Sequence, residues 1–276
     1  MKNKTIVIAG LLIIVMLAVL LIAGCGSKAQ DPQESLNQAV QSAREAESVK
    51  AQINVTVSPQ AGTTGMGVDV QGDAGLDMKA KTMEASLSAM GISLDLRYVN
   101  SSGYLKFGST WYELTGELVP GIGKDTLDGF VNLLAGYPDL FSNVAEITKA
   151  GDKKVGNYDC TNYDVTPDLN ALAANASIRQ LAEQLGMESG SLADTLQQAG
   201  LEMQIAIQKS EPIIREVFIA ANADMPQGGK IMGIPLLPAK AHIETVIDFP
   251  EYGIAVKVEA PQGAKPFTGI GDLLGL

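Results

Sequence analysis

Two thiols and one imidazole are the only cysteine and histidine side chains in 276 residues. The imidazole, His242, alternates with Ala241 and Ile243 and shares a strand face with Glu244. One His and two Cys cannot build a His-rich metal site or a Ser-His-Asp arrangement, so no metal and no cofactor is expected. His242 therefore reads as an exposed strand residue. Cys160 has no His or basic neighbour to favour its thiolate, and Asp159 beside it acts the other way. It reads as a structural thiol, behaving as a small hydrophobe. Gly121-Ile122-Gly123 after Pro120 lacks the third glycine and the Lys-Ser/Thr of a phosphate loop, and reads as a turn. The carboxylates are spread along solvated strand faces, so no acid–base pair is anchored. No catalytic constellation emerges, and the chain is expected not to be an enzyme.

Cys25 is different because of what precedes it. Residues 1–24 contain no Asp or Glu; Lys2 and Lys4 lead into an apolar run from Ile6 to Ile22. A positive start, an apolar middle and a small-residue end form the pattern of an export signal. The 17-residue run is near the lower limit of ~17–25 residues for crossing a bilayer, so length alone leaves an uncleaved anchor open. The end of the run decides for cleavage. Ile22, Ala23, Gly24 and Cys25 look like a lipobox: an aliphatic residue three places before a Cys, with small residues between. In that pattern the thiol takes a diacylglyceryl group and a peptidase cuts between Gly24 and Cys25. Two acyl chains hold a protein stably at a membrane, whereas one binds marginally. The expected location is the cell membrane, on its extracytoplasmic face, with the lipid on Cys25 as anchor.

Charge limits the partners. Removing residues 1–24 takes away two lysines and no carboxylate, which moves the net charge from −11 to −13. Nucleic acid is excluded, because binding phosphates needs a basic footprint. Electrostatic adhesion to anionic lipid is disfavoured for the same reason. With Cys25 modified, Cys160 has no disulfide partner, so a hydrophobic core must stabilise the fold. About 250 residues suffice for one such domain, expected as a monomer.

The elements follow from periodicity. Residues 25–35 read as the modified Cys and a flexible tether, with a helical stretch over residues 33–47 whose Leu36, Ala39, Val40 and Ala43 share a face. Period-two alternation then appears at Ile53–Val57, Met66–Val70, Leu76–Ala80 and Ile92–Tyr98, with turns expected at residues 60–64 and 72–75, at Gly91, and at 100–103. Tyr104–Phe107 and Thr110–Leu114 close this block. Leu127, Phe130, Val131 and Leu134 stand at helical spacing. Strands are expected around Ile147 and over Tyr158–Val165. Asp168 caps a helix whose Leu169, Leu172, Ala173, Ala176, Leu181 and Leu185 point inward, ended by Gly186. Ser191-Leu192-Ala193-Asp194 opens a short helix stopped by Gly200. Further strands are expected at Leu201–Ile207, Ile213–Ala220, Ala239–Phe249 and Ile254–Val258. The tail, residues 261–276, has no assigned place. Strands and helices in separate runs predict an α+β fold. Met66, Met78, Met83, Met90, Met187 and Met203 suit either an adaptable cavity or an ordinary core.

The lipobox, the short polar tether, Ser48-Val49-Lys50 opening the first strand, Gly103-Tyr104-Leu105-Lys106 before Thr110-Trp111-Tyr112, and residues 156–163 running into the Asp168 helix together resemble the LolA-like superfamily. Within it they resemble the mycobacterial LppX and LprG-type lipoproteins. The resemblance spans most of the mature chain. It implies a strongly curved antiparallel sheet, an incomplete β-barrel, with helices covering the concave face, here over residues 36–260. It also implies an apolar cavity for acyl chains, with lipid or lipoprotein as cargo in the cell envelope or periplasm. The candidate pocket comprises Val55, Val68, Met78, Leu94, Leu96, Leu127, Phe130, Leu134, Leu172, Met203 and Ile205. The alternative is a surface or sensing lipoprotein with a filled core that binds a protein partner.

Overall fold

The computed structural model describes residues 31–60, 62, 66–116, 124–135, 144–184, 192–224, 230–231, 234–235 and 240–267. Residues 1–30, with those read as export signal and lipobox, lie outside these. Helix α1 (Pro32–Ala46) starts where its sequence dictates. Asp31 accepts the Gln33 N–H at 3.0 Å, and Pro32 sits in the first turn, where its missing donor is harmless. The predicted face of Leu36, Ala39, Val40 and Ala43 is buried. The helix begins inside the stretch read as tether, because Asp31-Pro32 is itself a start signal.

Strands β1 (Ser48–Pro59), β2 (Val68–Asp77), β3 (Thr82–Ala89), β4 (Ile92–Val99), β5 (Ser102–Phe107) and β6 (Thr110–Leu114) form an antiparallel meander. Helix α2 (Lys124–Ala135) follows, then β7 (Val144–Val155) and β8 (Tyr158–Pro167), and then α3 (Leu169–Ala174), α4 (Ala176–Gln184) and α5 (Leu192–Gln198). The chain returns to strands with β9 (Glu202–Gln208), β10 (Ile214–Asp224), the small ladder β11 (Lys230–Ile231) and β12 (Ile234–Pro235), β13 (Lys240–Tyr252) and β14 (Lys265–Phe267). Twelve of these strands make one sheet in the order β14-β6-β5-β4-β3-β2-β1-β13-β10-β9-β8-β7. Strand β13 lies between β1 and β10 and joins the two meanders. The sheet is curved and open, with β14 and β7 as its edges, and β14 alone pairs in parallel. The expected α+β architecture holds: buried residues of α1 to α5 form one cluster with buried residues of the sheet.

Four expected features differ. Residues 72–75 are not a turn; they lie in the middle of β2, and the turn falls at residues 78–81. A Cβ on Gly72 would stand 2.3 Å from the Ser86 carbonyl oxygen, so glycine is there for close approach of β3. Strand β3 was not anticipated, because its inward residues include Ala85 and Ala89, too small to stand out in an alternation. The helix capped by Asp168 breaks at Asn175, which restarts the helical phase. Ala176 is consequently exposed, whereas Ile178 and Ala182 are buried. Residues 254–258 join no ladder. They lie across the sheet instead: Ser48 donates to the Ile254 carbonyl at 2.6 Å, Val256 sits over Gly75, and Arg97 donates to the Glu259 carbonyl at 3.3 Å. This strap leads into β14 and gives part of the tail a place beside β6.

Candidate functional site

Alternation turns one set of side chains from each strand toward the helices. On β1 these are Val49, Ala51, Ile53, Val55 and Val57, all buried. Register sets Leu76, Ala74, Gly72, Val70 and Val68 of β2 opposite them. The same rows continue through Met83, Ala85, Leu87 and Ala89 of β3 to Tyr98, Leu96, Leu94 and Ile92 of β4. The result is a continuous apolar surface.

Its two halves are covered differently. Around β8, β9, β10 and β13 it is sealed, with Ile205, Val217, Ile243 and Ile247 fully buried in one cluster with Leu36, Leu172, Ile178 and Leu192 of the helices. Over β2 to β5 the cover thins. Along β4, Tyr98 is buried, Leu96 and Leu94 are half-buried, and Ile92 is 59% exposed. A second cluster of Leu105, Leu114 and Phe267 fills the β5–β6–β14 corner, with Leu94, Leu96, Tyr112 and Leu127 against it. Leu127 also packs on the main cluster and so bridges the two.

The predicted pocket residues divide along the same line. Val55, Leu172, Met203 and Ile205 are buried in the main cluster, with Val68, Met78 and Leu127 half-buried against it. Leu94, Leu96 and Leu127 border the second cluster. Met78 lies in the β2–β3 turn rather than on a strand. The side chains of Phe130 and Leu134 lie outside the described residues. One polar group intrudes: Thr245, on the β13 row between Val55 and Ile219, is fully buried, and its Oγ1 has no hydrogen-bond partner among the described residues.

The opposite face is polar and largely self-satisfied. Register aligns Gln52, Asp73, Ser86, Asp95, Lys106 and Trp111 across six strands. Asp95 accepts from Ser86 at 2.8 Å and pairs with Lys106 at 3.2 Å, and these partners hold its carboxyl below the usual value of 3.8. The Arg97 guanidinium stacks 4.8 Å from the Trp111 ring. A cleft of about 400 Å³ lies here under the strap, bordered by Lys50, Glu84, Arg97, Trp111 and Val256.

The imidazole is half-exposed and the second thiol is buried. His242 shares Asn222 Oδ1 at 3.1 Å and lies 3.4 Å from Glu244, partly exposed on the polar face. Cys160 is buried, and burial pushes its thiol up to about 11. Arg215 was not anticipated from sequence, because an Arg between Ile214 and Glu216 carries no sign of burial. It is the extra residue of a β-bulge in β10, donates to Gln208 Oε1 and to the carbonyls of Phe249 and Pro250, and lies 3.7 Å from the Tyr158 ring. Among the described residues no three His, Cys, Asp or Glu side chains gather to hold a metal.

A curved-sheet α+β protein with an incompletely covered apolar face is thus defined. No family model matches the sequence, and no curated protein is similar to it. Among solved structures the chain is similar to LprF from Mycobacterium bovis, at TM-score 0.46 and 14% identity, over 86% of this chain and 100% of that one. It is also similar to lipoprotein LppX from Mycobacterium tuberculosis, at TM-score 0.44 and 12% identity, over 83% and 100%. A DUF1329 family protein from Desulfovibrio piger gives TM-score 0.28 and 9% identity, over 83% and 96%.

Proposed function

We propose that this chain is a membrane-tethered extracytoplasmic lipoprotein that holds lipid acyl chains against the apolar face of its sheet, over β2 to β5. The observation that carries this reading is the row from buried Tyr98 through half-buried Leu96 and Leu94 to exposed Ile92, an apolar track left open at one end. Each methylene laid on it leaves water with a gain of about 0.8 kcal/mol, so a long chain is held without specific polar contacts. The sealed half around Ile205 and Val217 acts as ordinary core. The anchor at Cys25 keeps the carrier beside its donor membrane, and the role is carriage, not catalysis.

The test is intact and native mass spectrometry of the mature chain extracted from membranes in mild detergent. The expected result is an N-terminal Cys25 bearing a diacylglyceryl mass, together with non-covalent lipid adducts that Leu94→Asp removes while thermal unfolding stays cooperative. A bare Cys25 or an intact Met1 would end the tether reading. An adduct-free mass in several lipid backgrounds would end the carrier reading and favour a filled-core lipoprotein that binds a protein.

A further inference from the structure

We infer that the hairpin tips at one end of the sheet, carried by Met66, Met90, Ile92 and Phe107, form a rim that seats in the surface of a lipid bilayer. These are the exposed large apolar side chains among the described residues, with Met66 at 55%, Met90 at 54%, Ile92 at 59% and Phe107 at 37% exposure. All four belong to the same end of neighbouring strands. Met66 leads into β2, Met90 lies in the β3–β4 turn with Ile92 next after it, and Phe107 ends β5 at the β5–β6 turn.

Three further observations point to lipid as the occupant. First, the tips of the β1–β2, β3–β4 and β5–β6 hairpins carry no formal charge in sequence, and the charges at this end, Lys240 and Asp224, stand on the other side of β1. No Asp, Glu, Lys or Arg occurs in residues 51–68, 85–94 or 107–112, although charged residues are 18% of the chain. The opposite end of the same hairpins is charged, with Asp77, Lys79 and Lys81 at the β2–β3 turn and a Lys79–Glu47 ion pair at 2.7 Å. A surface bound for a low-dielectric medium must lack charge, whereas a surface bound for water has no such need.

Second, the two ends use different turn residues for the same backbone. The β4–β5 turn holds Asn100 and Ser101 at φ +52 and +58. The β3–β4 turn holds Met90 and Gly91 at φ +53 and +79. Both are tight two-residue turns with two left-handed positions, where Asn is the favoured first residue. Met90 is exposed at the place where such a turn in water favours Asn, and an apolar side chain there suits contact with lipid. Third, the rim continues the half-buried apolar row of Leu94 and Leu96, so an acyl chain leaving the bilayer meets apolar surface throughout.

The bilayer is within reach. This step rests on the tether reading above. Asp31 is six residue steps from Cys25, which span about 20 Å when extended. That is comparable with the ~18 Å radius of gyration of a domain this size, so the body can roll on its anchor and the rim selects the side presented.

The experiment uses the full chain with its single tryptophan moved. Ile92→Trp and, as control, Lys79→Trp are each made with Trp111→Phe, which leaves one indole per protein. Each protein is mixed with phosphatidylcholine vesicles, neutral so that the acidic body is not repelled, containing phospholipid spin-labelled near the glycerol end of one acyl chain. Bound protein is recovered by flotation. The expected result is loss of most indole emission from the Ile92→Trp protein, with little change in the Lys79→Trp control. Met90→Asp added to Ile92→Trp returns that emission to the control level. Met90→Asp also weakens vesicle binding of any chain lacking lipid on Cys25 by about tenfold, the equivalent of one buried apolar side chain. Flotation with both proteins equally unquenched would overturn the rim and leave the tether standing. Failure to float at any lipid concentration would overturn both. Concentration-dependent protection of the indole in the Ile92→Trp protein without vesicles would assign the rim to a second copy of the chain and overturn the lipid assignment.

Discussion

Asp95 and Thr245 sit on opposite faces of the sheet and behave oppositely. Asp95 is held ionised by Ser86 and Lys106, with Arg97 adding to the field, and its folded pKa lies below its unfolded value of 3.8. A depressed carboxyl stabilises the fold above the unfolded pKa, and that contribution is lost as pH falls through the folded pKa. Asp95→Asn should therefore lower stability near pH 7 by about 0.2–1 kcal/mol, the range for a partly exposed pair. The difference between mutant and parent should shrink below pH 3.8, as read by urea unfolding at several pH values. Thr245 has a buried hydroxyl with no partner among the described residues. Its removal in Thr245→Val should stabilise the fold by about 1 kcal/mol, because an unmade buried hydrogen bond is a standing cost. An unchanged or lower urea midpoint would mean that the hydroxyl is satisfied in solution. Neither residue was legible in the sequence as special. Asp95 acquires its partners through strand register, and Thr245 acquires its burial only when β13 is inserted between β1 and β10. Cys25 is the reverse case, since everything said of its chemistry comes from the neighbouring letters Ile22, Ala23 and Gly24.

At the scale of elements, strong periodicity was readable and glycine was not. The face of α1 is the predicted one, because Leu36, Ala39, Val40 and Ala43 repeat at helical spacing after an Asp-Pro start. Strand β9 likewise buries Met203, Ile205 and Ile207 as their alternation requires. Gly72 and Gly75 misled because glycine marks both turns and places where a neighbour crowds the backbone, the β3 backbone at Gly72 and the Val256 side chain at Gly75, and only the neighbour distinguishes these. Two substitutions separate the cases. A Cβ on Gly72 would meet the Ser86 carbonyl oxygen at 2.3 Å and the Leu87 Cα at 3.0 Å, so β2 or β3 must move. A Cβ on Gly103 would meet Leu127 Cδ2 at 2.6 Å, the far end of a flexible side chain. Gly72→Ala should therefore destabilise at the upper end of the ~1–3 kcal/mol seen for overpacking, with Gly103→Ala well below it. Chemical denaturation of the two variants side by side tests the order. Equal losses would show that the β2–β3 ladder yields as readily as a side chain.

For the whole molecule, the decisive feature is that the helix-facing side of the sheet carries two clusters among the described residues instead of one core, with a small third one of Val155, Cys160 and Ala206 on the other side. The larger spans β1, β13, β10, β9 and β8 under the helices and reaches Leu76, Met83 and Tyr98 at one end of β2, β3 and β4. The smaller is Leu105, Leu114 and Phe267, built where β14 returns to pair with β6. Half-buried Leu127 packs on both. Phe267 is fully buried although it is reached only through the strap, and its ring meets Tyr112 edge-on at 6.1 Å between centroids. The sequence could not place it, because a three-residue strand in a Gly- and Pro-rich tail has no period to read. Phe267→Ala should remove about 3–5 kcal/mol from whatever unit that ring supports. If the molecule unfolds as one body, every amide loses protection equally. If the clusters are separable, amides of β4, β5 and β6 exchange faster while those of β9, β10 and β13 are unchanged, as expected where cooperative units follow local packing. The two-cluster layout predicts the second pattern, and native-state hydrogen exchange resolved by peptide distinguishes them. It also puts Leu94 and Leu96 in the less secured half, as the proposed holding of an acyl chain there requires. Uniform loss across all strands would instead make the β5–β6–β14 corner an integral part of one core, and the entry proposed along β4 would then require opening the whole fold.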